Sequence, residues 1–197
     1  IITREPTANS LTVSNTSTLI YGNTPDINTN LNASLVSNNN KAGMTLFAAA
    51  RQRSPFDYDK DGFSEIPKLN SKSIGLRGFY RIGHTSKLTL EYHTIDEFRR
   101  GGNLFERPPH EADIAEQLNH NIHSGGLKYD IFFKENKHAL QLYASLQHVK
   151  RESYYGAGKD PDAYGNTRDM SVVGGIQYTL RMKKLWFMPA TFIAGSE

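Results

Sequence analysis

Three polar segments hold the residue types that bind ions and ligands. In the first, Asp57, Asp59 and Asp61 stand at alternate positions ahead of Gly62, and Glu65 follows. Carboxylates spaced this way converge on a hard cation such as calcium once a glycine lets the chain turn sharply. An EF-hand is excluded, because Lys68 stands where that loop needs its last, bidentate glutamate. A looser calcium loop and a merely solvated Asp-Gly turn both fit. The second segment carries Arg99, Arg100, Arg107, His110, Glu111, Asp113, Glu116, His120 and His123. Guanidinium forks match a carboxylate or phosphate on an anionic ligand, and they match the segment's own acids equally well. The histidines lack the H-E-x-x-H spacing of a zinc protease. Pro108-Pro109 ahead of Glu111 to Leu118 predicts a short helix with proline at its start and acids in its first turn. The third segment sets Tyr154, Tyr155 and Tyr164 among Gly156, Gly158 and Pro161. Exposed tyrosines there suit ligand capture or an ordinary hairpin tip. No nucleophile–base constellation and no phosphate-binding glycine loop is present, so catalysis is not expected.

The elements between these segments read as strands. Period two marks a half-buried strand, and it recurs along the chain. Ile74, Leu76, Gly78, Tyr80 and Ile82 alternate with Ser73, Gly75, Arg77, Phe79 and Arg81. Leu88, Leu90 and Tyr92 alternate with Thr89, Glu91 and His93. Leu140, Leu142, Ala144 and Leu146 alternate with Gln141, Tyr143, Ser145 and Gln147. Nine strands are predicted, near 9–20, 26–37, 42–54, 71–82, 87–99, 121–133, 138–153, 169–182 and 185–194.

The connections alternate in length. Asn38–Lys41, Gly83–Ser86, Lys134–Lys137 and Met182–Lys184 are tight polar turns, whereas the three chemistry-bearing segments are long; the connection between the first two strands, Tyr21–Pro25, is short and breaks the contrast. One end of the sheet is trimmed and the other elaborated, as in outer-membrane barrels with periplasmic turns and extracellular loops. The expected fold is therefore all-β, an antiparallel transmembrane β-barrel. Nine is an odd count, and single-chain bacterial barrels are even and closed, so a fragment of a larger barrel is expected.

Composition agrees. The 197 residues carry a net charge of +3, 38% hydrophobic residues and no cysteine, which excludes disulfides and cysteine zinc sites. No run of about 18 apolar residues exists, so no spanning helix is expected, whereas a spanning strand needs only alternate apolar positions. The basic excess forms no stripe, and nucleic acid is not an expected partner. Ile1 at the start, with no signal peptide, leads one to expect a processed or truncated chain.

Two stretches resemble the TonB-dependent outer-membrane receptor family. Ile1-Ile2-Thr3-Arg4-Glu5-Pro6 is similar to the end of that family's plug domain, where a short strand hands over to the first barrel strand. Phe56 to Ile66, with its D-x-D-G-F character, is similar to the loop after the third barrel strand in cobalamin and siderophore receptors. The segments Phe98–Phe105 and Arg107–Asp113 also resemble barrel loops of such receptors. The resemblance implies that residues 1–6 end a plug and residues 7–197 form the first part of the barrel. It also implies Gram-negative outer-membrane location, contact with membrane lipid, and import of a scarce metal chelate such as cobalamin, ferric siderophore or haem. The TonB complex would engage a region absent from this chain. Asp57, Asp59, Asp61 and Glu65 would form a calcium loop. Arg99, Arg100, Arg107, Tyr154, Tyr155 and Tyr164 would contact ligand. Arg77, Arg81, Glu91, His93, Gln141, Gln147 and Gln177 would face the plug. The competing expectations are a small passive or adhesive barrel and a soluble calcium-binding β-domain.

Overall fold

The computed structural model describes residues 5–134 and 136–197. They form one antiparallel sheet of nine strands arranged in sequence order. The strands are β1 (Ser10–Ile20), β2 (Thr24–Val36), β3 (Ala42–Arg53), β4 (Ser64–Ile82), β5 (Ser86–Gly102), β6 (Ile114–Phe133), β7 (His138–Ala157), β8 (Tyr164–Leu185) and β9 (Met188–Ser196). The sheet is open, with β1 and β9 at its edges. No helix among the described residues is long and apolar enough to cross a membrane.

Register carries the apolar pattern across the sheet. Ala33, Leu46, Leu76, Tyr92, Gly125, Leu146 and Val172 stand opposite one another from β2 to β8. The row one residue away on each strand reads Asn32, Phe47, Gly75, His93, Ser124, Gln147 and Ser171. Successive side chains leave a strand on opposite faces, so one face is apolar and the other polar throughout. A slip of one residue in any pair would put that strand's hydrophobics on the polar face.

The apolar face is bare. Leu11, Val172 and Phe192 are 70%, 66% and 54% exposed, and Ile74, Leu90, Leu127 and Leu142 are exposed with them. Along β4 the apolar positions run from Ile74 to Ile82, about 26 Å of strand at ~3.3 Å per residue. Beyond them toward the long loops, the same face turns polar in one row of Lys72, Asp96, Asn121, Lys150 and Arg168. The fully buried hydrophobics are few, and Ala112, Ala115 and Tyr154 cluster under a loop rather than between layers.

Three expectations are corrected. The helix predicted over Glu111 to Leu118 is a single 3-10 turn, Pro109–Glu111, and β6 begins at Ile114. Leu118 there pairs with both Arg99 and Ser153. Two-sided ladder bonding satisfies every backbone group, and this overrides the weak pull of one proline and a few acids toward helix. The long loops are shorter than expected, because β4 to β8 extend well past the apolar band, with a register shift between Ser64 and Lys68 at Pro67, which has no N–H to donate. The last turn lies at Trp186-Phe187, with Trp186 at φ 58°, rather than at Met182–Lys184. Lysines tolerate exposed strand positions, so their polarity did not mark a turn.

Candidate functional site

Antiparallel order places the β3–β4, β5–β6 and β7–β8 connections at the same end of the sheet. The acidic loop, between β3 and β4, gathers its candidate ligands together. Asp57, Asp59, Asp61 and Glu65 each bring a carboxylate oxygen within 4.8 Å of the others. The loop is also laced to itself. Asp57 accepts the N–H groups of Lys60 (2.6 Å) and Gly62 (2.9 Å), Asp61 accepts that of Phe63 (2.8 Å), and Glu65 accepts that of Tyr58 (2.5 Å). Gly62 takes φ +93°, a conformation that a side chain would strain. At its base, Phe56 bridges to Ile66 and stacks on Tyr21 of the β1–β2 turn at 5.2 Å. All four predicted metal ligands therefore converge, and they are the residues here that could hold a divalent cation. Four carboxylates this close repel one another, which a hard cation would relieve.

The arginine and tyrosine candidates do not converge. Arg100, Gln117, Tyr154 and Tyr164 form one cross-strand row on the face that is apolar lower down. Arg99 and Tyr155, one residue along, belong to the opposite face. Arg100 is only 3% exposed, donates to Gln117 Oε1 (3.1 Å) and Asn103 O (3.4 Å), and lies 5.9 Å from the Phe105 ring. Tyr154, expected to be exposed, is 1% exposed. Its hydroxyl donates to Asp160 O (2.9 Å) and its ring meets Tyr164 edge-on at 4.9 Å. Both residues hold loops in place. The candidates with access to solvent are Arg99, Arg107, Tyr155 and Tyr164. Arg99 sits 3.3 Å from Glu97, and Tyr164 bonds to His110 Nδ1 at 2.8 Å.

The β5–β6 loop is fastened by a residue that sequence reasoning missed. Asn103 donates to Asp113 Oδ2 (2.8 Å) and accepts from the Asp113 N–H (3.1 Å). An asparagine beside a glycine is a turn signal, but its distant partner was not readable. His120 and His123 lie on opposite faces of β6 and share no metal site. The acidic loop is the one such cluster among the described residues.

The polar face forms a shallow wall. A depression of about 430 Å³ is lined by Phe47, Ser73, Arg77, Glu91, His93 and Ser124. Arg77 pairs with Glu91 at 3.1 Å, and the His93 and Phe47 rings lie 5.3 Å apart. The predicted polar-face residues thus do share one surface. The chain leading into β1 crosses it. Glu5 Oε2 accepts from Arg81 Nη2 (2.5 Å) and Oε1 from Lys87 Nζ (2.6 Å), placing residue 5 over β4 and β5. Pro6 packs at Gly43, and Asn9 accepts the Val36 N–H at 2.7 Å. Partial burial raises the Glu5 carboxyl's pKa, but the lysine bond and the Lys87, Arg81 and Arg77 charges outweigh it and hold the carboxyl below its ordinary range. Residues 1–4, on which most of the expected plug-end motif falls, lie outside the described residues.

The chain matches no protein-family model, no curated protein and no solved structure.

Proposed function

We propose that this chain is the first part of the barrel of an outer-membrane importer of the TonB-dependent receptor type, taking up a scarce metal chelate. The observation that carries the reading is the bare apolar face, aligned strand by strand over nine strands and backed by a polar face. In water such a face has no covering layer, and burying it is worth roughly 25 cal/mol per Å². Lipid is the partner that suits it, since the band's run on β4 agrees with the ~9–11 tilted residues a spanning strand needs. Tyr80, Tyr129, Phe133, Tyr178 and Phe192 stand on that face toward the short turns, as an interfacial aromatic girdle would.

The open edges support further strands that close the barrel, because unpaired edge groups are not tolerated in lipid. The chain entering β1 from over the polar face suits a domain seated inside the barrel, and the three elaborated loops suit the extracellular side. Calcium in the acidic loop would order the mouth. Among the alternatives, a soluble calcium-binding β-domain predicts solubility without detergent, and the bare face speaks against it.

The test is an uptake panel on the complete receptor with cobalamin, ferric siderophores and haem, together with membrane fractionation. Outer-membrane location and energy-dependent uptake of one of them support the reading. A protein soluble without detergent, or one that takes up none of them, overturns it.

A further inference from the structure

The row Arg81, Lys87, Asp130, Gln141 and Gln177 runs straight across the polar face from β4 to β8. Lys87 lies between two carboxylates in it. Its Nζ is 2.6 Å from Glu5 Oε1 and 3.9 Å from Oδ2 of Asp130, its direct cross-strand partner. Asp130 is only 6% exposed. Its Oδ1 accepts from Gln141 Nε2 at 2.9 Å, but Oδ2 is buried without a hydrogen bond. Lys128 Nζ stands 3.3 Å from that oxygen and supplies charge without supplying the bond. A buried acceptor left unmade is costly, and a donor able to reach it gains that cost back.

We propose that Lys87 is a two-position switch, shared between Glu5 and Asp130, that sets whether the strap of residues 5–9 is held on the polar face or released. In the held position, observed here, Lys87 and Arg81 grip the two oxygens of Glu5 while Asp130 Oδ2 goes unbonded. In the released position the Lys87 ammonium turns to Asp130 Oδ2. The loss of the Glu5 pair is then partly offset by the bond gained, which narrows the free-energy gap between the two positions. Arg81 keeps a partner in either position, because its Nη1 already donates to Asn40 O at 2.6 Å. Of the other charges on this part of the wall, Arg77 is paired with Glu91 at 3.1 Å, and Arg181, which lines the same depression as Arg81 and Lys87, donates from Nη1 to Asn136 O at 2.9 Å. The device is independent of which ligand, if any, the chain imports.

The sign of one substitution separates this from a plain anchor. The chain has no cysteine, and Ala8 is exposed on the strap, so a nitroxide on Ala8→Cys reports strap mobility in the full chain without background. Glu5→Gln raises the mobile fraction whether Lys87 is a switch or a fixed anchor, so it calibrates the probe. Asp130→Asn removes the alternative partner and lowers the mobile fraction, by roughly two- to fivefold, since only the lysine of that pair is partly exposed. Lys128→Gln, which leaves Asp130 needing Lys87 more, raises it. In the Glu5→Gln background, Asp130→Asn has no further effect. A strap that loosens or stays unchanged in Asp130→Asn overturns the switch, and so does one that tightens in Lys128→Gln.

Discussion

The ring of Phe47 lies across Gly75, its cross-strand partner, so closely that a Cβ built on Gly75 would stand 2.0 Å from Phe47 Cζ. Phe79 covers Gly43 and Tyr143 covers Gly175 in the same way, each across a directly paired position. All three pairs sit on the polar face, where large rings lie flat only because the facing residue has no side chain. Gly75→Ala therefore destabilises by about 1–3 kcal/mol through overpacking, read as a shift in urea midpoint. Phe47→Ala in the same chain relieves the clash, so the double variant is more stable than the sum of the two singles predicts. Additive effects would mean the ring has somewhere else to go.

The acidic loop predicts a calcium-dependent stability. Adding calcium raises the unfolding midpoint, since a ligand bound by the folded loop stabilises it by mass action, and chelator reverses the rise. Asp59→Asn is the informative variant. Its one loop bond, to the Asp61 N–H, is long at 3.3 Å, so losing the charge disturbs the fold of the loop least. The variant keeps its stability without calcium and loses most of the calcium response. A wild-type midpoint indifferent to calcium would leave the loop as a solvated turn.

Strap attachment depends on pH with a definite sign. The folded pKa of Glu5 lies below its ordinary value, so its contribution to attachment is fully present above that value, roughly 4.3, and is lost as pH falls through the depressed folded pKa. The mobile fraction of the nitroxide at position 8 is expected to stay constant around neutral pH and to grow only in that acidic window. Raising ionic strength at neutral pH loosens it too, because the pairs are partly exposed and screened. Loosening that begins near pH 6.5 would point to a histidine instead.

Strand type, count and face were readable because period two is a local pattern repeated many times, as in Ile74 to Ile82. Strand ends were not, because Ile114–Leu118 and Ser64–Leu69 become strand only through partners on neighbouring strands. The acidic loop was readable for the same reason as the strands: its four carboxylates lie within nine residues and fold by local bonds. The arginine and tyrosine candidates were not. Arg99 and Arg100 are adjacent in sequence and so face opposite ways, and Tyr154 is buried against Ala112 and Ala115, about forty residues away in the chain. Glu5, Lys87 and Asp130 were missed as a unit because they meet across 82 and 43 residues of chain.

Arg100 and Arg99 give a contrast of function against folding. Arg100→Ala empties a buried position, orphans Gln117 and loosens the loop over Phe105, so it costs stability, by about 2–4 kcal/mol for a buried side chain with hydrogen bonds. Arg99→Ala removes an exposed side chain paired with Glu97 and shifts stability by less than about 1 kcal/mol. Under the importer reading, Arg99→Ala on the polar face weakens capture of an anionic chelate while the protein folds normally. Urea unfolding and ligand binding measured on the same two variants separate the roles, and equal losses of stability would refute the assignment of Arg100 to folding and Arg99 to the exposed surface.

A charge on the bare face tests the membrane directly. Leu90 stands in mid-band, between Gly78 and Leu127, and is exposed. Leu90→Arg in a lipid-embedded sheet costs about 2–4 kcal/mol, the figure for a cation at the bilayer midplane. The same change at Asp96, three positions higher on that face in the charged row beyond the band, costs about 0–1 kcal/mol, as near an interface. In a water-exposed sheet the order reverses: Leu90→Arg relieves an exposed apolar surface and is neutral or favourable, while Asp96→Arg meets Lys72 directly across the strand and is unfavourable. Folding free energies of the two variants in lipid vesicles therefore decide between the readings by sign. A mid-band arginine tolerated as well as one at Asp96 would mean that this face does not lie in hydrocarbon.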